Sequence, residues 1–231
     1  MDRSFLSRPE VVRASRKFVC IRLATYESLE EARMLRSIFR GGSGQLENTT
    51  FALLSPDGRT PLVYSGRSPD FAFVDSQQMA TTMGRISERY RGQSSGELPT
   101  VVNLRLAVNL AACDGLPVVA LTSPDGAQLR DWQSRLAAVA WEPALLGKAI
   151  YCLDQRATPR PGLLVLAPGK FGLDSQPLGW LAPDSSTLSA DLQRLLNGYR
   201  GAEKNAHDHL FEGHQRGVHW QTQIPVTDPH R

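Results

Sequence analysis

All five histidines of the chain, His207, His209, His214, His219 and His230, fall in its last 25 residues, and the preceding 206 hold none. Imidazole is the commonest protein metal ligand and the side chain that titrates near neutral pH. The cluster therefore points to metal coordination, a proton-linked switch or a contact surface. In HDHLFEGHQRGVHW, the His-x-His of His207 and His209 would turn both rings to one side of an extended backbone. Gly213 and Gly217 would let the chain bend His214 or His219 back as a further ligand. Nitrogen donors with Asp208 or Glu212 as carboxylate support suit Zn(II), Cu(II) or Ni(II), and no thiolate is near to demand a soft metal. His207, His209, His214 and His219 are thus the candidate ligands. The alternative is that they pack the tail onto the domain or onto a protein partner, with Trp220, Ile224 and Pro225 as an apolar anchor.

Other residue patterns carry less. Cys20, Cys113 and Cys152 lie far apart, each in or beside an apolar stretch and none in a C-x-x-C pair, which reads as three small buried hydrophobes. Asp208, His214 and a serine could compose a triad on paper, but no G-x-S-x-G elbow exists. RGGSGQ (40–45) lacks the Gly-Lys-Ser/Thr of a phosphate loop and reads as a helix stop. Glu30 and Glu31 read as solvated helix charges, and Arg67 as part of a surface turn open to an anion. No nucleotide or organic cofactor is indicated.

The composition is that of a globular protein: 231 residues, 41% hydrophobic, 21% charged and a net charge of +3. No Lys/Arg run with interleaved aromatics supports nucleic-acid binding. No stretch approaches the roughly 20 apolar residues of a membrane span. MDRSFLSRPEVVRASRK is charged and lacks an apolar core, so as written the expectation is a cytoplasmic chain with a protein partner.

Periodicity supplies the elements. The first half predicts a helix over 2–16 broken or restarted at Pro9, with Phe5, Val11 and Val12 on one face. A half-buried strand follows over 18–25, where Val19, Ile21 and Leu23 alternate. Ser28 with Glu31 opens a helix over 28–40. Residues 49–66 form a hairpin around Pro-Asp-Gly, and Asp75 caps a helix over 76–91. The second half predicts a helix (100–113), a buried strand (117–123), a helix (126–141), a strand (148–154) and a hairpin (162–183). A final helix (185–199) is capped by Ser185 or Ser186. From residue 200 the periodicity fades into an irregular tail. The expected organisation is 1–92, a linker over 93–99, 100–199, and the histidine-rich extension 200–231.

Strand, helix, strand, hairpin and closing helix is the order of the thioredoxin fold. RSFLSRPEVVRASRKFVCIRLATYES resembles the segment that follows the active site in thioredoxin-like proteins, and TTFALLSPDGRTPLVYSGRSP resembles the family's β-hairpin. The likeness covers nearly all of 1–92; the second half is similar in outline. The resemblance implies an α/β chain of two thioredoxin-like mixed-sheet domains, the first lacking its N-terminal strand, plus the irregular tail. The family's C-x-x-C motif would precede Phe5 and is missing from this sequence. Thr49 or Thr50 holds the place of the family's cis-proline in the first half, and Pro161 that place in the second. The redox loop of the second half would be TSPDG (122–126), which has no cysteine. Disulfide exchange needs an exposed thiolate and a resolving cysteine. The expected function is therefore non-catalytic binding or assembly, with Zn or Cu as possible cargo of the tail. The alternative is a thiol-disulfide oxidoreductase whose motif lies upstream of Met1, which would also permit export.

Overall fold

The computed structural model describes residues 2–21, 23, 25–39, 44–47, 49–91, 97–154, 160–202, 205–218 and 221–227. The chain divides into two compact units. One is Met1–Ser94 with Trp220–Arg231, the other Ser95–His219.

The regular elements described in the first unit are helices. A π-helical segment, Asp2–Leu6, precedes α1 (Pro9–Ser15), which starts at its proline as the fixed φ of Pro allows. Phe5 and Val11 are buried, whereas Val12 is exposed. In α2 (Leu29–Ile38) the Ser28 hydroxyl accepts from the Glu31 amide at 3.3 Å, and in α3 (Ser76–Arg89) Asp75 accepts from the Gln78 amide at 2.7 Å. Each cap satisfies an amide that the first helical turn leaves without a partner. Phe5, Val11, Leu53, Phe73, Met79 and Met83 form one core; Tyr26, Ala32, Leu35 and Leu46 form another.

Two expectations for this unit are corrected. Among the described residues of 18–25 there is no strand, and Val19 and Ile21 stand 54% and 60% exposed. Alternation alone does not make a strand; it needs a neighbour to pair with, and no described residue supplies one. The hairpin over 49–66 exists as two arms joined by Pro56-Asp57-Gly58, but its pairing is reduced to bridges at Phe51–Gly66 and Leu54–Pro61. Pro61 cannot donate to a ladder. Gly66 faces Phe71 so closely that a Cβ there would lie 2.7 Å from the ring. The first unit is therefore not a mixed-sheet domain among its described residues.

The second unit contains α4 (Leu104–Asp114), β1 (Val118–Thr122), α5 (Gly126–Ala140), β2 (Ile150–Asp154), β3 (Gly162–Pro168), β4 (Ser175–Leu181), α6 (Leu188–Gly198) and α7 (Ala206–Gln215). The sheet order is β2-β1-β3-β4; β1 and β2 are parallel, and β3 runs against both β1 and β4. A mixed α/β architecture with a four-stranded mixed sheet thus matches the sequence expectation here. β1 is buried at all five positions, as its unbroken apolar run requires of a central strand covered on both faces. Val119 and Leu121 join Leu163, Val165, Leu129, Leu136, Leu192 and Leu196 in the larger core; Val118 and Ala120 join Ala107, Ala111, Cys152 and Leu166 in the other. The cap of α6 departs from expectation. Thr187 is the N-cap; its hydroxyl accepts from no helix amide and donates to the Asp191 carboxylate at 2.7 Å, and Ser185 accepts from the Thr187 amide at 3.2 Å.

The segment after residue 200 is likewise not wholly irregular. Asn205 accepts from the His207 and Asp208 amides at 2.9 and 3.3 Å and opens the helix α7. Further on, Gln221–Thr227 belongs to the first unit and is neither helix nor strand, with a bend at Gln223–Ile224. Gln223 and Ile224 donate their amides to the Tyr26 carbonyl at 3.0 and 2.9 Å, and the Thr227 hydroxyl donates to the Leu46 carbonyl at 2.8 Å. Ile224 and Val226 are half-buried against the Tyr26–Leu46 core.

Candidate functional site

The C-terminal ends of parallel strands are where open α/β sheets place their ligands, and the β1–α5 junction occupies that position in the second unit. Thr122 is paired between Asp154 of β2 and Gly162 of β3, and its hydroxyl donates to the Gly162 carbonyl at 3.3 Å. Ser123 is fully buried; its hydroxyl bonds Gln128 at 2.8 Å and accepts from the Asp125 amide at 3.1 Å. Asp125 caps α5, accepting from the Ala127 and Gln128 amides at 2.8 and 3.4 Å. Each polar side chain of TSPDG is thus engaged in building the turn. None is an exposed nucleophile.

Beside the junction, the Arg160 guanidinium lies 3.6 Å from the Trp180 ring centroid. Gly162 adopts φ +142°, and a Cβ there would meet the indole at 2.6 Å. The Arg160–Pro161 bond is trans, so Pro161 does not reproduce the family's cis-proline.

The three cysteines are free. Cys20 is exposed, but its Sγ lies 3.9 Å from the Ser15 carbonyl and desolvation pushes the thiol pKa up, away from the thiolate that exchange requires. Cys113 is exposed near the end of α4, and Cys152 is buried in β2. The structure thus buries one cysteine, not three. Burial also pushes the Tyr151 phenol up to about 12, which keeps it protonated.

Of the histidines singled out from the sequence, His207, His209 and His214 lie on α7; His219 and His230 lie outside the described residues, as does Trp220. The helix replaces the extended backbone that would have turned His207 and His209 to one side. Successive residues of a helix are about 100° apart, so no two of these three fall at the i,i+3 or i,i+4 spacing that aligns ligands. Among the described residues no group of three or more His, Cys, Asp or Glu is placed to hold a metal ion. His207 is fully solvated and lies 3.5 Å from Asp208.

His209 has a different role. Its ring stacks on Phe171, in the β3–β4 turn, with centroids 4.6 Å apart and planes 22° apart. Gly213, one turn later, lets the helix approach: a Cβ there would sit 3.2 Å from the Phe171 ring. Glu212 binds Lys170 on one side and Arg216, at 2.6 Å, on the other. The contact also leaves Leu210 63% and Phe211 60% exposed on the helix.

The Lys170 hydrogen bond, with Arg216 behind it, holds the Glu212 carboxyl below its ordinary pKa of 4.5. A depressed carboxyl stabilises the folded arrangement fully above its ordinary pKa, and the contribution is lost as pH falls through the lowered value. Seating of α7 is therefore expected to be constant at neutral pH and to weaken below about pH 4.5. Amide exchange of α7 across pH 3–7 checks this. Glu212→Gln is expected to remove the pH dependence.

Sequence reasoning missed two arrangements. Arg67 does not await an outside anion: its Nη1 lies 2.9 Å from Oε2 of Glu47, which is only 4% exposed. Phe171, which seats α7, carried no local signal at all. Compared with known proteins, the chain matches no family model, no curated protein and no solved structure.

Proposed function

We propose that this chain is a non-catalytic thioredoxin-fold binding and assembly protein. The observation that carries the reading is the β1–α5 junction, where the strand end that would present a redox loop carries a buried serine and a helix-capping aspartate. The order strand, helix, strand, hairpin and closing helix over 118–198 supports the thioredoxin-like part of the reading. The pair Leu210–Phe211 supports the binding part, since a capped helix anchored on its other side presents both to solvent. Aromatic side chains such as that of Phe211 are enriched in protein interfaces relative to the rest of the surface.

The test replaces the pair. Leu210→Ser/Phe211→Ser is expected to keep its circular dichroism and thermal midpoint while losing at least about tenfold in crosslinked protein partner, a loss that corresponds to truncating one interface anchor. Equal crosslinking by both chains removes α7 as the contact surface.

Metal binding through His207, His209, His214 and His219 is a separate proposal. With α7 folded, His207, His209 and His214 are not aligned, so uptake of Zn(II) or Cu(II) by the set should unwind the helix. Titration followed by metal analysis and far-ultraviolet circular dichroism checks it. About one equivalent with loss of helical signal supports the set, and no uptake removes it.

A further inference from the structure

Because α7 is a helix, His207, Leu210, Phe211 and His214 share one face, at i, i+3, i+4 and i+7. All four are exposed, Leu210 by 63% and Phe211 by 60%. The opposite face is committed to its own unit, with His209 on Phe171 and Glu212 on Lys170. Seven residues make nearly two turns, so His207 and His214 point the same way to within about 20°, about 10 Å apart along the axis. That is too far for one ion, with bonds of about 2 Å to nitrogen, to take both rings of one chain. The outward pattern has a symmetry of its own. It runs His-x-x-Leu-Phe-x-x-His, with a histidine at each end of a centre between Leu210 and Phe211. A two-fold axis through that centre lays the α7 of a second copy antiparallel to the first. His207 of each copy then falls beside His214 of the other, and Leu210 beside Phe211.

We infer that α7 is a contact between two copies of this chain, closed at each end by a transition-metal ion between His207 of one copy and His214 of the other. Packed helices run about 8–10 Å apart, a gap that two imidazoles span from opposite sides with one ion between them. Nitrogen donors suit Zn(II), Cu(II) or Ni(II), and water completes each shell. Asp208, 3.5 Å from Nδ1 of His207, adds negative charge beside each ion. The two helix faces, each about 15 Å by 10 Å, cover far less than the about 1,200 Å² of a stable complex. Leu210 and Phe211 therefore set the register, the ions supply the affinity, and the pairing depends on metal. The inference rests on the binding reading and names its partner. It differs from a set of four histidines in one chain, because α7 stays folded and His209 and His219 take no part.

The experiment follows the untagged full chain by sedimentation velocity in Zn(II) and in EDTA, with far-ultraviolet circular dichroism alongside. Self-association is expected to be at least about tenfold stronger in Zn(II), at about one equivalent per chain, because an ion held only by the dimer shifts association by mass action. The helical signal is expected to stay. His207→Ala and His214→Ala should each lose the zinc response. An equal mixture of the two should recover part of it, since the mixed dimer keeps one complete site; a merely structural role for either histidine gives no such recovery. His219→Ala should respond as the parent does, and Leu210→Ser/Phe211→Ser should stay monomeric. A parent chain that stays monomeric in zinc overturns the proposal, as does a dimer indifferent to EDTA or a mixture no better than its single variants. Zinc uptake by a monomer that loses helical signal overturns it in favour of four histidines in one chain. Capture of another protein through Leu210 and Phe211 by a chain that is monomeric in zinc overturns it and leaves the binding reading standing.

Discussion

Arg67→Met is expected to destabilise the first unit by about 3 kcal/mol, the cost of stranding a buried charge. Glu47 is 4% exposed and its Oε2 faces the Arg67 guanidinium at 2.9 Å. Removing the cation leaves the carboxylate without its counter-charge in a place that water does not reach. The neighbour of Glu47 is Leu46, 1% exposed and part of the core with Tyr26, Ala32 and Leu35, so the cost falls beside a packed core. Glu47→Gln/Arg67→Met should recover most of the loss, because the charge is then absent rather than orphaned. Chemical denaturation followed by a first-unit probe reads both variants. A single-variant effect under about 0.5 kcal/mol, the range of an ordinary exposed pair, would make Arg67–Glu47 a surface contact.

Gly162→Ala is expected to cost the second unit about 3 kcal/mol, from two sources. A residue at φ +142° with a side chain is strained by about 1–3 kcal/mol. Its Cβ would also lie 2.6 Å from the Trp180 indole, whose other neighbour is Arg160 at 3.6 Å. Overpacking of this kind adds about 1–3 kcal/mol unless the ring moves. If it moves, the Arg160 stack breaks, so a change in Trp180 emission should accompany the destabilisation. A variant as stable as the parent with unchanged emission would remove the close approach from the account.

How much of this was legible follows from how local each signal is. The caps at Ser28 and Asp75, and the buried run of β1, are properties of a few neighbouring residues, and the sequence reading found them. The strand expected over 18–25 had the right alternation, yet pairing is a property of two segments, and among the described residues no second segment was present. Helix α7 was missed for the opposite reason. Leu210 and Phe211 are adjacent and exposed, so they show no helical period, and Gly213 looks like a breaker. What seats α7 is Phe171, 38 positions before His209, with Lys170 reaching Glu212. The histidines were conspicuous by composition, but their spacing acquires meaning only once the backbone is known. On a helix it separates His207 from His209, and stacking turns one of them into an anchor.

The central claim, that this chain acts through its surfaces and not through its thiols, is tested most directly by disulfide exchange at neutral pH. The purified chain is added to a protein disulfide substrate with dithiothreitol, beside the chain with Cys20, Cys113 and Cys152 replaced by alanine. The account predicts that both reactions run at the uncatalysed rate. An acceleration by the parent chain that the cysteine-free chain loses would contradict it.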